Sequence, residues 1–215
     1  MRPAAGPYSI RRGGFVGLAA EVYIPRRGRA ARHYADAFSV ALWIAKQNPE
    51  VGARWAFDLA AALVPLVPEG TELILTPPAS RRRSAQGWYL ARELGAGVAR
   101  LLGVPLARPL TWQSEGQESS KSIRHQAGKG RALGRVVVCD EELPGVRVCL
   151  VDDLFTTGIT LQLCGEALLA AGAAEPVGMV TLGVTERTGW RPAEEFEQTR
   201  LRAAARRAAR KDGRP

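Results

Sequence analysis

One stretch, VCLVDDLFTTGIT at residues 148–160, constrains the fold more than any other part of the chain. Val148, Cys149, Leu150 and Val151 form an apolar run too short for a helix and bounded by turn-forming polar residues, which predicts a strand buried on both faces. That strand is expected to end on two adjacent carboxylates, Asp152 and Asp153, followed by a loop over 154–158. Thr160 then opens a helical run over 161–171. A helix start presents unpaired backbone N–H groups and the positive end of the dipole, both suited to a phosphate. Gly158 lets the backbone approach an anion, and Thr156, Thr157 and Thr160 carry hydroxyl donors. The two carboxylates can accept hydrogen bonds from sugar hydroxyls or hold a hard cation such as Mg²⁺. A ligand with a phosphate, vicinal hydroxyls and a bound Mg²⁺ satisfies every one of these groups. The other reading is a solvated acidic turn at the end of an ordinary strand.

The rest of the chain narrows the class. At 215 residues it suits one domain with appendages, and 46% hydrophobic residues is an ordinary globular share. No apolar run reaches membrane-span length and the first residues lack the apolar core of a signal peptide, so a cytoplasmic protein without a membrane span is expected. Cys139, Cys149 and Cys164 sit in apolar segments without a C-x-x-C pair, which predicts buried reduced thiols rather than a metal site. The net charge of +9 favours a polyanionic partner, part of which phosphate ligands alone would explain.

Along the chain, residues 1–32 hold seven arginines and short strand candidates at 15–16 and 22–24. Helical spacing follows over 33–47, with Tyr34, Phe38, Ala41, Leu42 and Ala45 on one face, and His33 reads as a helix-start residue. After Asn48-Pro49 a second helix should put Trp55, Leu59 and Leu63 on one face, ending at Pro65 and Pro68. A strand at 72–76 runs into Pro77, Pro78, Ala79, Ser80 and the cations Arg81, Arg82 and Arg83: a second anion loop, or a basic turn before the helix expected at 86–102. Residues 109–112 look extended, 113–134 form a long polar Gly/Ser/Lys-rich loop, and 135–139 are a strand. A buried strand at 177–184 closes the sheet. Strands alternating with helices predict an α/β fold with a mostly parallel twisted sheet flanked by helices, a helical N-terminal segment and a basic helical tail. The parts are residues 1–70, 71–190 and 191–215. Residues 200–215 carry six Arg and one Lys against one Asp, +6 of the +9 total. They form a solvated helical extension or a nucleic-acid arm, with Arg202, Arg206, Arg207, Arg210 and Lys211 as its contacts.

The stretch at 148–160 resembles the signature of the type I phosphoribosyltransferases for 5-phosphoribosyl 1-diphosphate (PRPP): apolar residues, two acids, two variable positions, then T-T-G-x-T. The resemblance implies that residues 71–190 are a phosphoribosyltransferase-like domain. In it, Asp152 and Asp153 would contact ribose hydroxyls and Mg²⁺, and Thr156, Thr157, Gly158 and Thr160 would hold the 5′-phosphate. It also implies that Pro78, Ala79, Ser80 and Arg81 form the pyrophosphate loop and that 113–134 is a hood closing over the ligand. Gln117, Lys121 and Arg124 follow the Q-x-x-x-K-x-x-R spacing of the ComF-like, competence-associated branch, which makes Lys121 and Arg124 the catalytic candidates on the leaving group. His125 lies beside them without a further argument for it. Residues 86–90 read Q-G-W-Y-L where that branch has R-G-F-N-Q, and its N-terminal zinc-binding cysteine pairs are missing. Hypoxanthine-guanine transferases have an aspartate at the position of Thr156, so that purine chemistry is disfavoured.

Two functions follow as expectations. One is a transferase that binds PRPP with Mg²⁺, lets a nucleophile attack C1 of the ribose and releases pyrophosphate. The other is a non-catalytic PRPP-sensing protein that binds single-stranded DNA or another nucleic acid, in DNA uptake or nucleotide regulation. The acceptor is not named by the sequence, and a homo-oligomer is admitted.

Overall fold

The computed structural model describes residues 7–12, 14–26, 30–79, 87–114, 135–185 and 191–192. Two long strands set the architecture, β7 (Val148–Phe155), buried except at Asp152 and Leu154, and β8 (Gly178–Thr185), buried throughout; helix α5 (Ile159–Ala170) joins them. They pair in parallel, as a strand–helix–strand unit must, with Leu150 opposite Met179 and Phe155 opposite Val184. On one side follow β3 (Leu73–Leu75) and β4 (Leu106–Ala107), on the other β2 (Phe15–Tyr23), all parallel to their neighbours. At the far edge of the order β4-β3-β7-β8-β2-β1-β9, β1 (Tyr8–Arg12) runs antiparallel to β2, and β9 (Arg191–Pro192) pairs antiparallel with β1 and so returns to the common direction. The sheet is thus mostly parallel and flanked by helices. Strand β8, expected to close the sheet, lies inside it, because β2 from the N-terminal stretch pairs along its free side. The first seventy residues therefore supply two strands of the same sheet as well as three helices.

Helices α2 (Ala37–Gln47), α3 (Pro49–Ala61) and α4 (Leu90–Leu102) cover one face, burying Leu42, Ala60, Leu90 and Leu94 against Ile74, Cys149 and Val151. On the other face α5 and an antiparallel ribbon of β5 (Leu110–Ser114) and β6 (Arg135–Cys139) enclose Leu161, Cys164 and Val137 with Val148, Leu150 and Met179. Neighbouring residues of β7 thus feed opposite cores, which explains its unbroken apolar reading.

The helix expected over 33–47 is two helices, the short α1 (Ala30–Tyr34) and α2. Asp36 interrupts the run by accepting the Ser39 N–H at 2.7 Å as the cap of α2. Asn48 closes α2 and caps α3, accepting from Val51 N at 3.2 Å, with Pro49 in the first turn. The inner face of α3 is Gly52, Ala56 and Ala60; Trp55 and Phe57 are exposed at 37% and 44%. Small residues win there because α3 packs closely on α4: a Cβ at Gly97 would stand 2.6 Å from that of Ala60. Helix α4 starts at Leu90, four residues later than its apolar spacing predicts, because Gly87 has φ +66° and Tyr89 is extended. Among the described residues no helix is long and apolar enough to cross a membrane.

Candidate functional site

At the carboxyl end of β7 the chain makes a shallow notch running from Asp152 through Thr160 to Leu161. The strand runs beyond the acidic pair: Leu154 and Phe155 still pair with Gly183 and Val184, and Phe155 is buried. Asp152 and Asp153 therefore lie within the strand, and the loop shrinks to Thr156, Thr157 and Gly158. The cause is the long partner β8, which offers backbone pairing to the end, together with a place in the core for the Phe155 ring. Gly158 caps α5 with φ +72°, a left-handed value that glycine adopts without strain, and any Cβ there would also strike the Phe155 ring. Helix α5 begins at Ile159, without a side-chain cap. Its first backbone bond is Gln162 N to Gly158 O at 2.9 Å, so the N–H groups of residues 159–161 have no partner within the helix. Thr156 and Thr157 are exposed beside them and Thr160 is half-buried. Open amides, hydroxyls and a dipole end converge on one notch, as an anion requires.

The two carboxylates serve different faces of the sheet. Asp153 is buried, and its Oδ1 accepts from Lys46 Nζ of α2 at 2.6 Å. Tyr23, beside them on the same face, is pushed up from its ordinary pKa, first by burial and then by the charge of Asp153. Asp152 lines the notch on the α5 side and accepts the Asp153 N–H at 2.8 Å. The Cys164 thiol in α5 is pushed well up, by burial first and then by the Asp152 charge. Lys46 was missed in the sequence, although a lone cation in the last turn of the apolar helix AFSVALWIAKQ was the available signal. His33 is fully buried rather than at an open helix start, its Nδ1 2.7 Å from Ile24 O and its ring edge-on to Tyr23, Tyr34 and Trp43.

The second loop opens one strand away at the same edge. Strand β3 pairs with β7 through Leu75 and Leu150, and Thr76, Pro77, Pro78 and Ala79 follow it. Trp112 of β5 donates from Nε1 to Pro78 O at 2.9 Å, which ties the β5–β6 ribbon to that loop. The ribbon ends with Ser114 paired to Arg135. Pro78 and Ala79 are thus brought to the edge that carries the notch. Ser80, Arg81, Gln117, Lys121, Arg124, His125, Arg202, Arg206, Arg207, Arg210 and Lys211 lie outside the described residues.

Fold and site define an α/β protein with a notch of open helix amides and threonine hydroxyls at the carboxyl edge of a mostly parallel sheet, the usual place for ligands in such sheets. No protein-family model matches the chain, and no curated protein matches it. Among solved structures it is similar to a purine phosphoribosyltransferase from Pyrococcus horikoshii Ot3, at 19% identity, 65% of this chain, 76% of that one and TM-score 0.39. It is similar also to the adenine phosphoribosyltransferase from Leishmania tarentolae, at 14% identity, 72% and 89% coverage and TM-score 0.40. For the orotate phosphoribosyltransferase from Aeropyrum pernix the values are 18%, 86%, 76% and 0.36.

Proposed function

We propose that the chain is a type I phosphoribosyltransferase-like protein of the ComF-like branch that binds PRPP together with Mg²⁺. The observation that carries this reading is the notch itself: uncapped α5 amides, exposed Thr156 and Thr157, and Asp152 on the adjoining wall. The 5′-phosphate would take the amides and hydroxyls, and Asp152 would accept from the ribose hydroxyls. Pro78, Ala79, Ser80 and Arg81 would hold the diphosphate, and Lys121 and Arg124 would close on it as it leaves. Positioning and electrostatics supply the acceleration in such a transfer. Mg²⁺ fits by the chemistry of the donor: Asp152 offers hard carboxylate oxygen, while the described residues contain no cluster of three or more metal-binding side chains. The ion would then be held largely by ligand diphosphate oxygens and water, and would neutralise the leaving charge.

The test is calorimetric titration with PRPP, with and without Mg²⁺, on the wild type and Asp152→Asn. Metal-dependent binding that the variant loses supports the reading and justifies a screen of acceptors by pyrophosphate release. A wild type that binds no PRPP removes it. The reading as a nucleic-acid-binding protein is favoured by one feature, the +6 charge of residues 200–215. Charge reversal at Arg202, Arg206, Arg207, Arg210 and Lys211 would abolish single-stranded DNA binding under that reading and leave PRPP affinity unchanged.

A further inference from the structure

A cation stands beside the notch that neither the signature nor its charge pattern assigns. Strand β1 ends at Arg12, opposite Phe15 at the tip of the β1–β2 hairpin. The tip lies against the first turns of α5. A Cβ at Gly165 would strike the Phe15 ring, and a Cβ at Gly158 would stand 2.8 Å from the Cβ of Arg12. Two glycines in α5 and its cap thus admit the hairpin. From Gly158 the Arg12 stem runs along the first turn, and Nε donates to Gln162 Oε1 at 3.2 Å. Gln162 donates from Nε2 to Glu166 Oε1 at 2.9 Å, one turn further on, which turns the amide oxygen toward the arginine. The Arg12 terminal nitrogens have no protein partner among the described residues. Four N–H donors of a planar fork are therefore unspent next to the amides and hydroxyls of the notch.

We propose that Arg12 is a further phosphate ligand of this site. The inference rests on the reading of the notch as the 5′-phosphate site and adds a residue from the opposite edge of the sheet. The guanidinium, now seated on Gln162, turns about its three-methylene stem to meet a phosphate bound at the start of α5. A planar fork pairs with two phosphate oxygens at once, which a lysine cannot do. The phosphate is then held on three sides, by the α5 amides, by the Thr156 and Thr157 hydroxyls and by the Arg12 fork. The ligand class this selects is a phosphate monoester on a sugar. A free pyrophosphate, expected at the loop after β3, has no need of Arg12.

The experiment is calorimetry of the full chain with ribose 5-phosphate, pyrophosphate and PRPP–Mg²⁺, on the wild type, Arg12→Gln, Arg12→Lys and Gln162→Leu. Arg12→Gln should weaken ribose 5-phosphate and PRPP by the same factor, about 10- to 100-fold for a lost charge-assisted pair, and leave pyrophosphate unchanged. Arg12→Lys should fall between, keeping the charge without the fork, and serves also where the glutamine variant folds poorly. Gln162→Leu should bind ribose 5-phosphate at least as tightly as the wild type, because it releases the guanidinium. Ribose 5-phosphate affinity within twofold of wild type in both Arg12 variants overturns the role of Arg12 and leaves the notch reading standing. A wild type that binds no ribose 5-phosphate overturns both. Equal weakening of all three ligands assigns Arg12 to the framework and overturns the proposal.

Discussion

Removing the cation from the Lys46–Asp153 pair should cost far more than removing the pair. Both side chains are largely out of water, at 16% and 9% exposure, and the contact is 2.6 Å. Lys46→Met leaves a buried carboxylate without its cation, which costs about 3–5 kcal/mol when one partner of a buried pair is deleted. In a chain of this size each kcal/mol moves the melting temperature by about 2–4 °C, so the variant should melt roughly 10 °C lower. Replacing both partners, Lys46→Met with Asp153→Leu, should recover most of that loss, because desolvation of the two charges then disappears together. Thermal unfolding of the two single variants and the double variant reads the coupling directly. PRPP titration separates the carboxylates: Asp152→Asn should lose binding, while Asp153→Asn, assayed well below its melting temperature, should retain affinity within about threefold, an estimate for a group that keeps its shape and faces the other side of the sheet. A coupling below about 0.5 kcal/mol would mean that the pair is not formed in solution. Loss of PRPP binding in a folded Asp153→Asn would show that this carboxylate reaches the ligand, and the division of labour between the acids would be wrong.

Gly158→Ala should destabilise by at least the 1–2 kcal/mol of a left-handed residue with a side chain, and more through contact with the Phe155 ring; unchanged melting would refute the cap geometry. With a disulfide reagent at pH 8 the native chain should show one slow thiol, Cys139, which is partly exposed and pushed up by burial and then by Glu141 and Asp140, against the lowering effect of its bond to Glu141 O. Cys149 and Cys164, both buried, should react only after denaturation, and three fast thiols in the native chain would contradict the packing. Burial pushes Cys149 from an ordinary 9.0 to about 12. Between those values the unfolded chain binds fewer protons, so stability should fall as pH rises, by up to about 1.4 kcal/mol per unit from this thiol. Tyr23 and Cys164, also raised, act in the same direction. A Cys149→Ala variant should show a shallower alkaline slope, measured by denaturant unfolding at pH 8 to 11.

The parts legible in the sequence were those written into periodicity and turn chemistry. The apolar runs of β7 and β8, the helix start after Gly158 and the helices on either side of Asn48-Pro49 are local facts, and they are found within a few residues of where the pattern puts them. What escaped was decided by distant partners. Nothing local tells that Leu154 and Phe155 remain in the strand, since that depends on the length of β8. Nothing local tells that Trp55 faces water while Gly52, Ala56 and Ala60 face α4, because close approach favours small residues over large ones. Lys46 and Arg12 were visible as charges but without addresses. Their addresses come from Asp153 and Gly158, which are 107 and 146 residues further along the chain.

The position of the acidic pair carries a consequence for how the signature works. In a strand with a core on each face, consecutive side chains leave in opposite directions. Two adjacent acids inside such a strand therefore begin as two sites, and they can share one ligand only where the strand has already ended. Here β7 continues through Phe155, and the acids are drawn apart, Asp152 to the notch under α5 and Asp153 to Lys46 under α2. The same backbone step that leads into the hydroxyl-bearing loop of Thr156 and Thr157 thus gives α2 an ionic anchor near the carboxyl edge of the sheet. Tension between these uses is avoided because the charges are spent on separate faces. Asp152 is thereby left on the wall of the notch, and Asp153 ties the helix layer to the other face of the strand.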